Sequence, residues 1–251
     1  MLLLALAGPA PAAAQAILNV EGLQSRDVEG LHTEINTRLN ASSGNTDLLQ
    51  VGGTLAVGFR APRHWIRLFL GLERLKKDDA KLLDNRYVHL RYNYFFGQRF
   101  RSFHFYQLQT NQNLLLKRRC LLGSGLRFRA LGGDGGNLEI GSGVMYEAEA
   151  LQRSGLEAGE EGDTRTLRLS NLLVASWDLG QEARLVAVAY HQPDVGRFGD
   201  YRFLGEALLT VGITGGLSLD MALDWRHDSR APRTLETDDV SLKAGITYRL
   251  R

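Results

Sequence analysis

The chain has little proline, one cysteine and no long apolar run. Its 251 residues include 5 Pro, a single Cys and 28 Gly. With Cys120 alone, no disulfide can form within the chain, and a lone thiol suits an oxidising compartment as well as the cytosol. Cys120 itself reads as a small apolar residue at a strand start. Apolar residues make up 44 % of the chain, yet nowhere do about 18 follow one another, as a membrane helix requires. If the chain spans a membrane, it does so with strands. An excess of one charge is also missing. The 30 Lys+Arg and 28 Asp+Glu leave a formal net charge of +2, which gives no electrostatic footprint for nucleic acid. His32, His64, His89, His104, His191 and His227 are scattered, with no HExxH and no i, i+2 pair. No metal site and no cofactor are expected.

What is present is strict alternation. Leu217, Leu219, Met221, Leu223 and Trp225 alternate with Ser218, Asp220, Ala222, Asp224 and Arg226. Val240, Leu242, Ala244, Ile246 and Tyr248 alternate with Asp239, Ser241, Lys243, Gly245 and Thr247. Leu31, Ile35 and Leu39 oppose His32, Glu34, Asn36, Arg38 and Asn40, and Leu138, Ile140, Val144 and Tyr146 oppose Glu139, Gly141, Gly143 and Glu147. Period two puts each set on its own face of a sheet, one apolar, the other small, polar and charged. Further strands are expected over 48–60, 64–73, 85–94, 101–110, 118–130, 165–177, 183–191 and 201–211. That makes about twelve, each near the ~9–11 residues that cross a bilayer at a tilt. In 101–110 the run Phe103, His104, Phe105, Tyr106 breaks the alternation, as aromatics at a membrane interface do. Ala148 to Glu161 has room for a short helical turn.

The connections sort by parity. Arg74–Asp84, Glu149–Thr164 and His227–Asp238 are long and charged, whereas Ala61–Arg63, Asp178–Glu182 and Gly212–Gly216 are short. Outer-membrane barrels have this asymmetry, with short periplasmic turns and longer outer loops. Closing a long meander removes both unpaired edges, and in lipid closure is obligatory. The expected fold is therefore all-β: a closed antiparallel up-and-down transmembrane barrel of about twelve strands, over residues 30–251. Residues 1–16, apolar and then Ala-rich, read as a signal peptide, and 17–29 as an N-terminal periplasmic segment.

A soluble lipocalin-like barrel would turn the same apolar face inward around a ligand, and period two alone does not separate the two. Gly52, Thr54, Ala56 and Gly58, and Gly123, Gly125, Arg127 and Arg129, make the polar face narrow and ionic. Phe59, Trp65, Tyr94, Phe95, Phe96, Tyr146, Trp177, Tyr190, Tyr201, Trp225 and Tyr248 lie near strand ends, as interfacial girdles do. The lumen is expected to be lined by Glu34, Arg38, Arg127, Arg129, Glu139, Glu147, Asp220, Asp224, Arg226, Asp239 and Lys243. Those charges serve as internal ion pairs or as a constriction selecting small solutes.

Several segments together resemble one known family. Asn40–Asp47, with its Gly-Asn-Thr-Asp hairpin, Arg91–Tyr94, Gln107–Asn113, Leu121–Arg127, Asn137–Glu149 and Asp239–Leu250 are similar, in order and spacing, to domain of unknown function 481. That family includes salt-induced outer-membrane proteins. The resemblance covers roughly residues 28 to 250. It implies an outer-membrane barrel with no assigned activity, located in the cell outer membrane. The chain departs from the usual barrel ending: it finishes Tyr248-Arg249-Leu250-Arg251, with Leu where a terminal Phe is usual.

His227-Asp228-Ser229 contains hydrolase residue types, the alternative being a membrane-embedded phospholipase or protease. Neighbours on a strand point to opposite faces, so these three cannot line up there. No catalytic residue is assigned, and the chain is not expected to be an enzyme. Gly132–Gly136 reads as a periplasmic hairpin turn, not a phosphate loop, because no helix follows. Lys76-Lys77-Asp78-Asp79 reads as a solvated loop near lipopolysaccharide phosphates. The expected partners are outer-membrane lipid, lipopolysaccharide and the barrel assembly machinery.

Overall fold

Nearly every segment with period-two patterning is strand. The structure, a computed structural model, describes residues 29–42, 48–77, 80–133, 135–180, 182–214 and 217–248. The expected signal peptide lies outside the described residues, as do most of the segment after it, the centre of the Asn40–Asp47 hairpin, Asp78, Asp79, Asp134 and Arg249–Arg251. The strands are β1 (Gly30–Ser42), β2 (Leu48–Arg60), β3 (His64–Lys77), β4 (Ala80–Phe95), β5 (Phe100–Asn111), β6 (Leu116–Gly133), β7 (Gly136–Leu151), β8 (Asp163–Leu169), β9 (Asn171–Asp178), β10 (Ala183–Pro193), β11 (Tyr201–Thr214), β12 (Leu217–Asp228) and β13 (Asp238–Tyr248). A single 3-10 turn, Arg153–Gly155, occupies the stretch where a helical turn was expected.

The strands form one antiparallel sheet in chain order, with β1 and β13 at its two ends. β8 and β9 are two halves of one crossing. Val144 opposes Leu169 and Gly141 opposes Leu172, so β7 keeps a single register along both. The interruption is Ser170, whose N–H still donates to Gly143 O at 2.9 Å. Counting that pair once, the described chain crosses the sheet twelve times.

The strands run longer than their patterning. Residues 74–84, expected as a loop, are mostly the paired upper ends of β3 and β4. There the outward face turns ionic. Asp84 sits between Arg86, at 2.8 Å, and Arg74, at 3.6 Å. Backbone pairing continues where the apolar coat stops, because ladder hydrogen bonds need no particular side chain.

The apolar face points outward. Leu31 and Leu39 are 71 % exposed, Val240 62 % and Leu242 69 %. Ile66, Leu90, Leu122, Leu126, Ile140 and Leu223 continue the exposed coat around the sheet. Monomeric proteins in water rarely expose contiguous apolar patches beyond a few hundred Å².

The inner face is not wholly polar, which corrects the reading of that face. Phe103, Phe105, Leu121, Met145, Leu172, Val174, Val188, Tyr190 and Leu204 form one buried cluster inside the curve. Strand 101–110 therefore alternates after all. Phe103 and Phe105 point in, while His104 and Tyr106 point out. Glycines on β6 make room for the rings. A Cβ on Gly123 would lie 2.3 Å from Phe105, and one on Gly125 would lie 2.5 Å from Phe103 and 2.4 Å from the Ser142 carbonyl oxygen. Trp65 and Tyr190, expected in an interfacial girdle, are buried inside instead.

Candidate functional site: the ionic interior and its mouth

Alternation delivers charges to the inner face at two levels, with the apolar cluster between them. At the short-connection end, Glu139 on β7 receives Arg101 from β5 and, from β6, Arg127 at 3.5 Å and Arg129 at 3.6 Å. At the long-connection end, Glu147 on β7 takes Arg119 at 3.2 Å, Arg168 at 2.7 Å and Arg202. Arg202 also binds Glu149 at 3.0 Å and Asp228 at 2.8 Å, and Arg119 binds Glu149 at 2.6 Å. These heads are nearly all buried, and burial without partners would cost several kcal/mol per ion. Partner satisfaction is what makes the arrangement tenable.

Above the upper network two connections meet across the mouth. The Arg233 backbone N–H donates to Glu160 Oε1 at 2.8 Å, and Thr234 Oγ1 donates to Gly155 O at 2.9 Å. The Glu157 N–H donates to the other Glu160 oxygen at 2.7 Å. These backbone donors, that of Arg233 first, hold the Glu160 carboxyl below its ordinary value. The bridge separates two clefts of about 540 Å³ and 350 Å³, and Ala231 and Pro232 line both.

A family model, described as protein of unknown function, DUF481, matches residues 38–250. The chain belongs to the DUF481 family. Among solved structures it is similar to the translocator domain of autotransporter NalP from Neisseria meningitidis, with a TM-score of 0.51, 15 % identity and 92 % of each chain covered. It also aligns with a bacterial polysaccharide outer membrane secretin at a TM-score of 0.49 and 11 % identity, over 88 % of this chain and 81 % of that one. At such identity the likeness to NalP is one of fold. No curated protein matches the chain.

In this DUF481 chain the residues expected along the lumen fall into separate groups. Arg127, Arg129 and Glu139 meet in the lower cluster, and Glu147 centres the upper one. Asp220 accepts from Thr210 at 2.7 Å, and Asp224 accepts from Ser241 at 2.9 Å. Arg226 and Asp239 are register partners, both half-buried. Glu34, opposite Ala56, stays exposed. The side chains of Arg38 and Lys243 lie outside the described residues.

The residues missed by the sequence reading are the strongest members of the upper network: Arg119, Glu149, Arg168, Arg202 and Asp228. Arg119, Glu149 and Asp228 share parity with lumen residues expected on their own strands, whereas Arg168 and Arg202 lie on strands where none was expected. Their nearness to strand ends hid them among loop charges. His227, Asp228 and Ser229 do not converge. His227 meets Asp238 at 3.0 Å, Asp228 turns inward to Arg202, and Ser229 Oγ accepts the Tyr201 N–H at 2.8 Å. Among the described residues no group of three or more metal-ligating side chains comes together.

Proposed function

We propose that this chain is a closed β-barrel of the bacterial outer membrane, exported by a leader at residues 1–16, with a structural role in the envelope and no catalysis. The observation that carries the reading is the outward apolar coat over an ionic inner face. That arrangement matches what lipid requires and reverses that of a soluble barrel. The β1 and β13 edges pair in the membrane, because unpaired N–H and C=O groups in hydrocarbon cost several kcal/mol each. The family's salt-induced members support a role under salt or osmotic stress.

The packed cluster around Phe103, Phe105 and Leu204 supports a low-conductance barrel. The test is semi-native gel electrophoresis of the detergent-folded protein, boiled and unboiled, together with membrane fractionation. A mobility difference and outer-membrane recovery are expected; identical mobility with a soluble periplasmic pool would refute the reading. In planar bilayers the wild type should conduct weakly, and Phe103→Ala/Phe105→Ala should conduct more. A wild type with large, steady conductance would refute the filled interior.

A further inference from the structure

Two arginines at the mouth stand on ordered turns and share one buried carboxylate. Arg197 lies in the connection between β10 and β11. That turn is tied by Asp194, whose side chain accepts the Gly196 N–H at 2.7 Å, and by the Asp200 N–H donating to Arg197 O at 2.8 Å. Arg230 lies in the connection after β12, where Asp228 Oδ1 accepts the Arg230 N–H at 3.0 Å. Both guanidinium groups stand against Asp200 Oδ2, Arg230 at 3.4 Å and Arg197 at 3.9 Å.

Asp200 is already held by the buried Arg168 at 2.9 Å. Three cations thus share one carboxylate, although Arg168 also holds Glu147. Around the cleft Arg165, Arg168, Arg197, Arg202, Arg230 and Arg233 face Glu149, Glu160, Glu161, Asp163 and Asp200, so the lining carries one more cation than carboxylates. The side chains of Arg197 and Arg230 are 60 % and 57 % exposed, and they face the 540 Å³ cleft. Neither guanidinium makes a hydrogen bond among the described residues, so their N–H forks are available for another acceptor. Turns held by side-chain caps reduce the ordering cost of binding, and planar Arg forks match phosphate oxygens in geometry and charge.

We propose that Arg197 and Arg230 clamp a small soluble anion of the phosphate class at the mouth of the sheet. The cleft is lined by the inner-face residues Glu149, Arg168 and Arg202 and by none of the large apolar side chains of the outward coat. A free phosphate or pyrophosphate reaches it more readily than a lipid-borne one. The site depends on two turns and Asp200. It does not depend on closure of the barrel, so it can fail while the membrane reading stands.

The test is calorimetric titration of the full-length, detergent-folded protein with inorganic phosphate and with pyrophosphate. Saturable binding is expected. Arg197→Gln/Arg230→Gln should weaken it about tenfold or more, since charge-assisted contacts are lost. Arg184→Gln, whose Asp178 pair lies at the other end of the sheet, should leave it unchanged. Arg197→Lys/Arg230→Lys guards against a folding defect: it keeps the charge, loses the forks and should bind with intermediate affinity. Absence of saturable binding by the wild type overturns the proposal, as does equal binding by the Gln double variant. A second arm offers vesicles containing phosphorylated or dephosphorylated lipid A. Capture of the phosphorylated vesicles, with no response to either soluble anion, overturns the assignment to a soluble ligand.

Discussion

The guanidinium of Arg91 on β4 lies 3.5 Å from the hydroxyl of Tyr190 on β10, although four strands separate them along the sheet. Only a sheet curled strongly on itself brings these two together. The inner faces of opposite strands therefore act as a core, and inner substitutions are felt across the whole curve.

Arg202 should be the costliest inner charge to remove. It joins Glu147, Glu149 and Asp228. Arg202→Met takes the shared cation from all three carboxylates and leaves Arg119 and Arg168 to hold Glu147 and Glu149; the expected loss is about 3–5 kcal/mol. Urea unfolding in lipid vesicles measures it. A loss no greater than that of the exposed Arg184→Met would show that the network is not structural.

Gly125 is closed to any side chain. An added Cβ would stand 2.4 Å from the Ser142 backbone oxygen and 2.6 Å from Gly143 Cα, and neither neighbour can rotate away. Gly125→Ala should destabilise by about 1–3 kcal/mol through overpacking. Gly97→Ala meets nothing within 4 Å and should be neutral. Equal unfolding midpoints for the two variants would contradict the close strand approach.

The outward face should reject charge only when lipid is present. Leu223, half exposed and opposite Ala207 and Leu242, lies well inside its strand. Leu223→Lys should cost about 2–4 kcal/mol in a bilayer, the range found near the midplane. Leu223→Ile should cost little. If Lys is tolerated as well as Ile in vesicles, this face does not meet hydrocarbon.

The bridge across the mouth should loosen in acid. Backbone donors hold the Glu160 carboxyl below its ordinary value, so folding favours the carboxylate. The stabilisation is therefore fully present above the unfolded pKa of about 4.3, and it is lost as pH falls through the lower folded value. Protection of the Arg233 amide, its hydrogen exchange measured against the intrinsic rate at each pH, should fall over that acid window. In Glu160→Gln the pH dependence should disappear. Protection of that amide unchanged from neutral pH into that window would disprove the bridge's dependence on the carboxylate.

Much of this was legible in the residues themselves. Alternation in Leu217–Asp228 and Asp239–Tyr248 placed Leu223 and Leu242 on one face and Asp220 and Asp224 on the other. It could also have placed Arg119, which shares parity with Arg127 and Arg129, and Asp228, which shares parity with Asp220 and Asp224. Phe103 and Phe105 were misread because neighbouring aromatics on both faces mask period two. Whether a ring packs inside depends on the strand alongside, and the space at Gly123 and Gly125 exists only once β6 pairs with β5. The residues expected as a long loop at 74–84 were misread for a related reason: charged side chains do not end a strand whose backbone stays paired.

Sequence by itself determined most of the strands and, within each, which residues share a face, because side-chain direction in a strand reverses at every residue whatever surrounds it; which face turns inward was decided by the tertiary structure. The partners of each inner charge were decided by tertiary structure alone. Glu147 collects Arg119, Arg168 and Arg202 from three different strands, and curvature of the whole sheet, not any local spacing, sets which heads come within reach.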